Sequence, residues 1–371
     1  MKLFKLTRLR ILLYCFVMTA AASSSDFSYT GPELILDYSG PVIVDNSHYK
    51  YTASDRLTFI TEDYLTQNIP KLLPLREAID TWASMQAVHP KLLSEIMKAY
   101  FKDKPVDDSF ENKQNVFQIA TGLSEGYNQN KGGDLATSKA INAIANAYQF
   151  NLDFTDGFSN KRVIEQHPYL KQGGGPPLYT YFQPPWPYSE SWAGGGVHTF
   201  TGGGNAPRNS LDFFKTFVPW GGNTSNIWVS ASQAGMVRVF SECNINVIHT
   251  NGWVSTYYHL ENIVVNDMQV VSINQKMSNY ADDLATATCQ GGSSTGPHVH
   301  FGIYFDDDPI EIDEQNVDFT SWKHHAGEGN YDSDCKTSYY TMVPGNIIVC
   351  PFVRQLPNNI VDFIFDNGFE L

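Results

Sequence analysis

At 371 residues the chain is too long for one ordinary domain and suits two. Its make-up, 42% hydrophobic, 13% aromatic and 17% charged, is that of a globular protein. Residues 176–371 hold 7 Lys and Arg against 20 Asp and Glu, a net of −13. This excludes nucleic-acid binding through phosphate neutralisation and attraction to anionic surfaces at low salt.

In chain order, the first feature is a secretory signal over 1–22. Lys2, Lys5, Arg8 and Arg10 precede a short apolar core, Ile11 to Ala20. The small residues Ala20-Ala21-Ala22-Ser23 follow, where a signal peptidase cuts. The apolar run is too short to span a bilayer, and Tyr14 before Cys15 is too bulky for a lipidation site. The expectation is a secreted, extracellular protein with no membrane span once the signal is gone.

Residues 23–175 read as a separate α-rich or α+β domain with no catalytic constellation. Short β-rich pieces over 33–62 come first. Leu75, Ile79, Trp82 and Met85 then recur at helical spacing. Pro90 opens a second helix with Leu92, Leu93, Ile96, Met97 and Tyr100 on one stripe. Asp134 is the expected N-cap of a third, with Leu135, Ile141, Ile144 and Tyr148 facing inward. Residues 171–187, with Gly173-Gly174-Gly175-Pro176-Pro177 and three further prolines, read as an exposed linker open to proteolysis.

From Trp192 onward the chain is β-like. Ile227 to Ser230, Gly235 to Phe240, Ile245 to His249, Val254 to Leu260 and Val299 to Tyr304 are strands, with a hairpin turn at Thr250-Asn251-Gly252. Ile360 to Leu371 alternates apolar and acidic residues; the tail over 355–371 has no assigned chemistry.

Four cysteines remain after signal removal: Cys243, Cys289, Cys335 and Cys350. An even number in an exported chain reads as two disulfides, in one of three connectivities. Histidines carry the strongest chemical signal. His298-Val299-His300 lies on a strand, where residues i and i+2 share a face. Gly196-Val197-His198, Leu211-Asp212-Phe213 and Tyr257-Tyr258-His259 add further candidates. Two His and one Asp with an open fourth position suit a hydrolytic zinc site. No His-Glu-x-x-His helix is present. His249 reads as structural, and His324 and His325 as exposed.

The sequence resembles the β-lytic, or staphylolytic, metalloendopeptidases, relatives of lysostaphin. The resemblance is carried by Gly196-Val197-His198, Asn209-Ser210-Leu211-Asp212, Thr256-Tyr257-Tyr258-His259, the run from Cys289 through Gly296-Pro297-His298-Val299-His300-Phe301, and Asn330-Tyr331-Asp332-Ser333-Asp334-Cys335. It implies a mostly antiparallel β catalytic domain over 176–354, preceded by a propeptide. It implies zinc held by His198, Asp212 and His300, with His259, His298 and Tyr331 catalytic; which histidine is the base is left open. It implies disulfides Cys243–Cys289 and Cys335–Cys350. It also implies cleavage of Gly-Gly and Gly-x bonds in peptidoglycan cross-bridges or in Gly-rich proteins such as elastin. The expected partners are that substrate and the chain's own propeptide, and the expected assembly is a monomer. Two other classes are weighed: a zinc amidase cutting the sugar–peptide amide of peptidoglycan, and a non-catalytic wall-binding or activator module.

Overall fold

A computed structural model describes residues 49–129, 136–150, 167–170, 181–200, 207–342, 347–352 and 356–358. The signal, Asp134, the triple-glycine segment and residues 359–371 of the C-terminal tail lie outside the described residues.

The N-terminal region is helical: α1 (Ala53–Thr58), α2 (Thr61–Asn68), a 3₁₀ turn (Pro70–Leu75), α3 (Arg76–Met85), α4 (Pro90–Tyr100), α5 (Phe110–Gln129) and α6 (Ala136–Ala147). α4 starts at its proline, with His89 as N-cap accepting from Lys91 N at 3.0 Å. Leu75, Ile79, Trp82 and Met85 are all fully buried. Two expectations fail here. Residues 53–58 and 61–62 form helix instead of β structure, and Thr52 and Asp55 make a reciprocal capping box that starts α1. The 20-residue α5 was not foreseen, because its buried positions bunch around Gly122 and Gly126 between polar ends and leave little periodicity.

The remainder is mostly antiparallel β, with β1 and β13 paired in parallel and one short helix among the described residues. In chain order the strands are β1 (Tyr181–Phe182), β2 (Ser191–Gly194), β3 (Ser210–Phe214), β4 (Trp228–Ser230), β5 (Gly235–Ser241), β6 (Asn244–Ile248), β7 (Trp253–Tyr258), β8 (Leu260–Glu261) and β9 (Val270–Val271). Then come β10 (Lys276–Tyr280), α7 (Leu284–Ala287), β11 (Val299–Phe305), β12 (Asp308–Pro309), β13 (Asp318–Phe319), β14 (Trp322–His325), β15 (Tyr339–Met342), β16 (Ile347–Val349) and β17 (Leu356–Pro357). The central sheet runs β17-β2-β3-β11-β7-β6-β5-β9, with β12 on β11. The expected fold class, a mostly antiparallel β domain behind an α-rich one, is what the chain adopts.

Strand alternation gives the central sheet two unlike faces. One carries Leu211, Phe213, Val237, Ile245, Val247, Tyr257, Val299, Phe301 and Ile303, all within the apolar core of the β region. The other carries Asp212, His300, Tyr258 and Asn244, which register directly across β3, β11, β7 and β6. The next rung on this face is Ser210, Gly302, Thr256, Asn246 and Arg238.

Two further expectations are corrected. Residues 182–186 are no linker: Phe182 and Trp186 are fully buried in the β core, and Trp186 stacks on Trp192 at 5.3 Å. The flanking prolines obscure this, although the aromatics between them anchor the segment. His324 is buried rather than exposed. On β14 it alternates inward with Trp322, faces Tyr340 at 4.6 Å, and places Nδ1 3.3 Å from Ile312 O. His325, pointing the other way, is half-buried and stacks on Tyr339.

Candidate metal centre

β11 and β3 bring His300 and Asp212 side by side, and an isolated bridge between His198 and Ser210 adds the third group. Asp212 Oδ1 lies 3.0 Å from His300 Nδ1 and 3.3 Å from His198 Nε2. One ligand atom from each of the three residues falls within 4.8 Å of the others. The two shorter spacings are close to the roughly 3.4 Å edge of a tetrahedron with metal–ligand bonds of about 2.0–2.1 Å. Two imidazoles and a carboxylate are a donor set suited to a divalent transition metal.

Protonation also fits. Burial raises the Asp212 carboxyl, but His298 and His198 facing it, with hydrogen bonds from His198 and His300, hold it well below the usual carboxylate range. Burial lowers the His300 pKa to about 4 against the opposing pull of Asp212. An anionic Asp212 and a neutral His300 are the forms that bind a metal.

His259 and His298 stand beside this cluster. Their rings are 4.8 Å apart, and His259 is 6.2 Å from His300. His298 Nε2 reaches 3.5 Å from Asp212 Oδ1. Each ring is oriented by a backbone carbonyl at Nδ1: Gly296 O at 2.7 Å for His298, and Ala287 O at 2.8 Å for His259. Nε2 is thereby turned toward the cluster. His259 follows the end of β7 with φ 64°, a left-handed conformation that re-aims its side chain off the strand. Burial, then His298, push its pKa well below the ordinary histidine value. Tyr331 stacks on His198 at 4.1 Å and 13°.

The three sequence-predicted ligands and the three predicted catalytic residues thus converge on one site. Cys243 is joined to Cys289 and Cys335 to Cys350, the pairs that the resemblance implied. The first bond links the β5–β6 turn to the loop leading to His298. His249 takes no part: it is buried between Ala234 O and Ser255 Oγ. The carbonyls of Ala287 and Gly296 could not be singled out in the sequence, because any residue type supplies a carbonyl.

The helical region lies over the same face of the sheet. Trp82 packs edge-on against Tyr258 at 5.4 Å and donates Nε1–H to Gln290 O at 2.6 Å. Arg56, fully buried, donates to Asn246 Oδ1 at 2.6 Å. Tyr304 donates to Met85 O at 2.7 Å, and Gly292 N–H to Gln114 Oε1 at 2.9 Å. Phe240, Cys243, Tyr258 and Cys289 belong to the helices' hydrophobic core rather than that of the β region.

No protein-family profile matches the chain. Among curated proteins, it is 28% identical over 356 residues to Protease LasA of Pseudomonas aeruginosa, covering 82% of this chain and 83% of that protein. It is 37% identical over 175 residues to the beta-lytic metalloendopeptidase of Lysobacter enzymogenes, covering 47% of this chain and 96% of that protein. Among solved structures, the M23 metalloprotease pseudoalterin from the deep sea is 33% identical, with 48% of this chain and 98% of that one covered and a TM-score of 0.44.

Proposed function

The chain belongs to the β-lytic metalloendopeptidase family, hydrolases of peptide bonds, and from that premise we propose that it is a secreted zinc endopeptidase acting on Gly-Gly and Gly-x bonds. The observation that carries the reading is the convergence of His198, Asp212 and His300 with His259 and His298 alongside. His198 Nε2, Asp212 Oδ1 and His300 Nδ1 would hold the ion. Zinc, when bound, supplies a Lewis acid that acidifies water toward neutrality and polarises a carbonyl.

The rest is done by side chains. Of His259 and His298, one accepts the proton of the attacking water at Nε2 and returns it to the leaving amine. The other donates a hydrogen bond to the oxyanion. Their fixed Nδ1 bonds preorganise both, and Tyr331 stands beside His198 to assist at the oxyanion. The rung next to the ligands forms a floor for the peptide. At Gly302 a β-carbon would come within 2.7 Å of Thr256 Oγ1, so this floor stays flat. Among the described residues, Thr256 Oγ1 and Asn246 Nδ2 on that floor have no protein hydrogen-bond partner, which supports a ligand with backbone polar groups. A glycine substrate approaches such a surface without a β-carbon in the way.

The same floor lies under the helical region, which supports latency of the uncleaved chain. Maturation within residues 172–178 would release it, by the enzyme's own glycine preference or by another protease. N-terminal sequencing of the secreted form checks this; a start far from 172–178 refutes it. For the activity, matured enzyme should cleave pentaglycine, lose cleavage to a zinc chelator and regain it with zinc, and His300→Ala should be inactive. Digested peptidoglycan should show new peptide termini at glycine. Freed sugar–peptide amide ends instead would assign the chain to the amidases.

A further inference from the structure

His198 reaches the cluster through Nε2 only because Nδ1 is engaged elsewhere. Its Nδ1 lies 3.0 Å from Thr199 O. The peptide N–H of Thr199 is in turn held at 2.8 Å by Asn330 Oδ1, 131 residues away in sequence. Asn330 precedes Tyr331, whose ring covers His198 and whose N–H bonds Val197 O at 3.0 Å. The segment is seated by Asp332: Oδ1 accepts from Asp334 N at 2.9 Å, and Oδ2 from Glu328 N at 3.2 Å and Thr337 Oγ1 at 2.8 Å. The Asp332 backbone packs on Gly196, where a β-carbon would collide with it.

We infer that Asn330 is a positioning residue for His198, acting through the Thr199 backbone. Building on the proposed metal set, Asn330 anchors Thr199 at its N–H, and the carbonyl of the same residue takes the His198 Nδ1 proton, leaving the Nε2 lone pair for the ion. Histidine ligands are commonly oriented by a partner at the other ring nitrogen, and loss of such support costs about 10- to 100-fold in metal affinity. Here the support is one step further out, in the segment just before the loop that the Cys335–Cys350 bond closes.

The test measures the zinc dissociation constant of the purified full chain by equilibrium competition with a chromophoric chelator, together with the melting temperature with and without zinc. Asn330→Ala should bind zinc about 10- to 100-fold more weakly, with the metal-free melting temperature kept. Asn330→Asp retains the acceptor and should stay within about threefold of the parent, a small fraction of that loss. If Asn330→Ala does not fold, Asn330→Ser, whose hydroxyl is too short for the Thr199 N–H, carries the same measurement. Parent-like affinity in the alanine or serine variant overturns the inference. So does equal weakening in the aspartate variant, or a lower metal-free melting temperature with unchanged affinity. A parent that binds no zinc, or His198→Ala binding as tightly as the parent, refutes the metal assignment itself and is thereby told apart.

Discussion

The two faces of the central sheet differ in what covers them. The face bearing Phe213, Phe301 and Ile303 closes on the β region's own core. On the other face His300, Thr256 and Asn246 are also buried while Asp212 keeps a little exposure, and helices from the other end of the chain cover it at Asn246 and Tyr258. The two rungs at the candidate metal site carry mostly polar groups, Asp212, His300, Asn244, Ser210, Thr256, Asn246 and Arg238 among them. Burial alone would have marked both faces as core; side-chain chemistry separates them.

The sharpest break in this comparison removes the chemistry from the polar face and leaves the apolar one intact. Asp212→Ala and His300→Ala should each lower activity by more than about 10³-fold, since a single oxyanion donor is already worth about 10²–10³. Far-UV circular dichroism should stay native. Melting that falls as far as in a core variant would mean the rung is structural.

Next in size come Phe301→Ala and Trp82→Ala, each expected to cost about 3–5 kcal/mol where its ring is buried. Phe301→Ala should destabilise both the full chain and the matured β region. Trp82→Ala should destabilise the helical region and its hold on the sheet, so that uncleaved protein gains peptidase activity. Denaturant melts of both forms, with peptide cleavage by the uncleaved one, check the pair; a Trp82→Ala chain as silent as the parent breaks the covering role.

A smaller effect separates the two regions by pH. Burial holds His249 and His324 neutral with pKa values of about 4. The unfolded chain protonates them below about 6.5. Their contribution to the β region is therefore present above that pH and lost as pH falls through about 4. Asp80 in α3 has the opposite sign, because burial raises its pKa to about 6. Its contribution is full below about 3.9 and lost as pH rises through about 6. Hydrogen exchange, corrected for intrinsic rates, should show β14 losing protection from pH 7 to 4.5 while α3 gains it. Parallel changes in both would contradict the sign for Asp80.

The smallest expected effect follows from charge. With −13 on residues 176–371, the enzyme is repelled from anionic walls at low ionic strength, so lysis should rise a few-fold from low to moderate salt. A steep fall in a turbidity assay would contradict it.

Much of this polar face was legible in the sequence. The two-residue spacing of His298 and His300 pointed to one site, although only His300 lies on β11 and His298 is aimed from the loop before it by the Gly296 carbonyl. The motif around Asp212 pointed to the third proposed ligand. Asn330 lay within a matched motif, yet its work is done on the backbone of Thr199, and backbone partners leave no sequence pattern. His324 was misjudged because its Gly- and Asp-rich neighbours mask the two-residue alternation with Trp322. The helical cover was invisible for a similar reason: a helix stripe shows that something is buried, not against what. Trp82 pointed inward as expected, but its partner Tyr258 is 176 positions away.

The disulfide Cys243–Cys289 sits inside the helices' core, with Phe240 and Tyr258 beside it. A β region that folds against those helices and then loses them has lost part of the apolar cluster in which it formed. On the proposed maturation, its persistence would rest on how slowly it opens as well as on how favourable the folded state is. The covalent tie from the β5–β6 turn to the loop before His298 holds those segments together once their cover is gone. Reduction should accordingly shorten the working life of the cleaved enzyme far more than that of the intact chain.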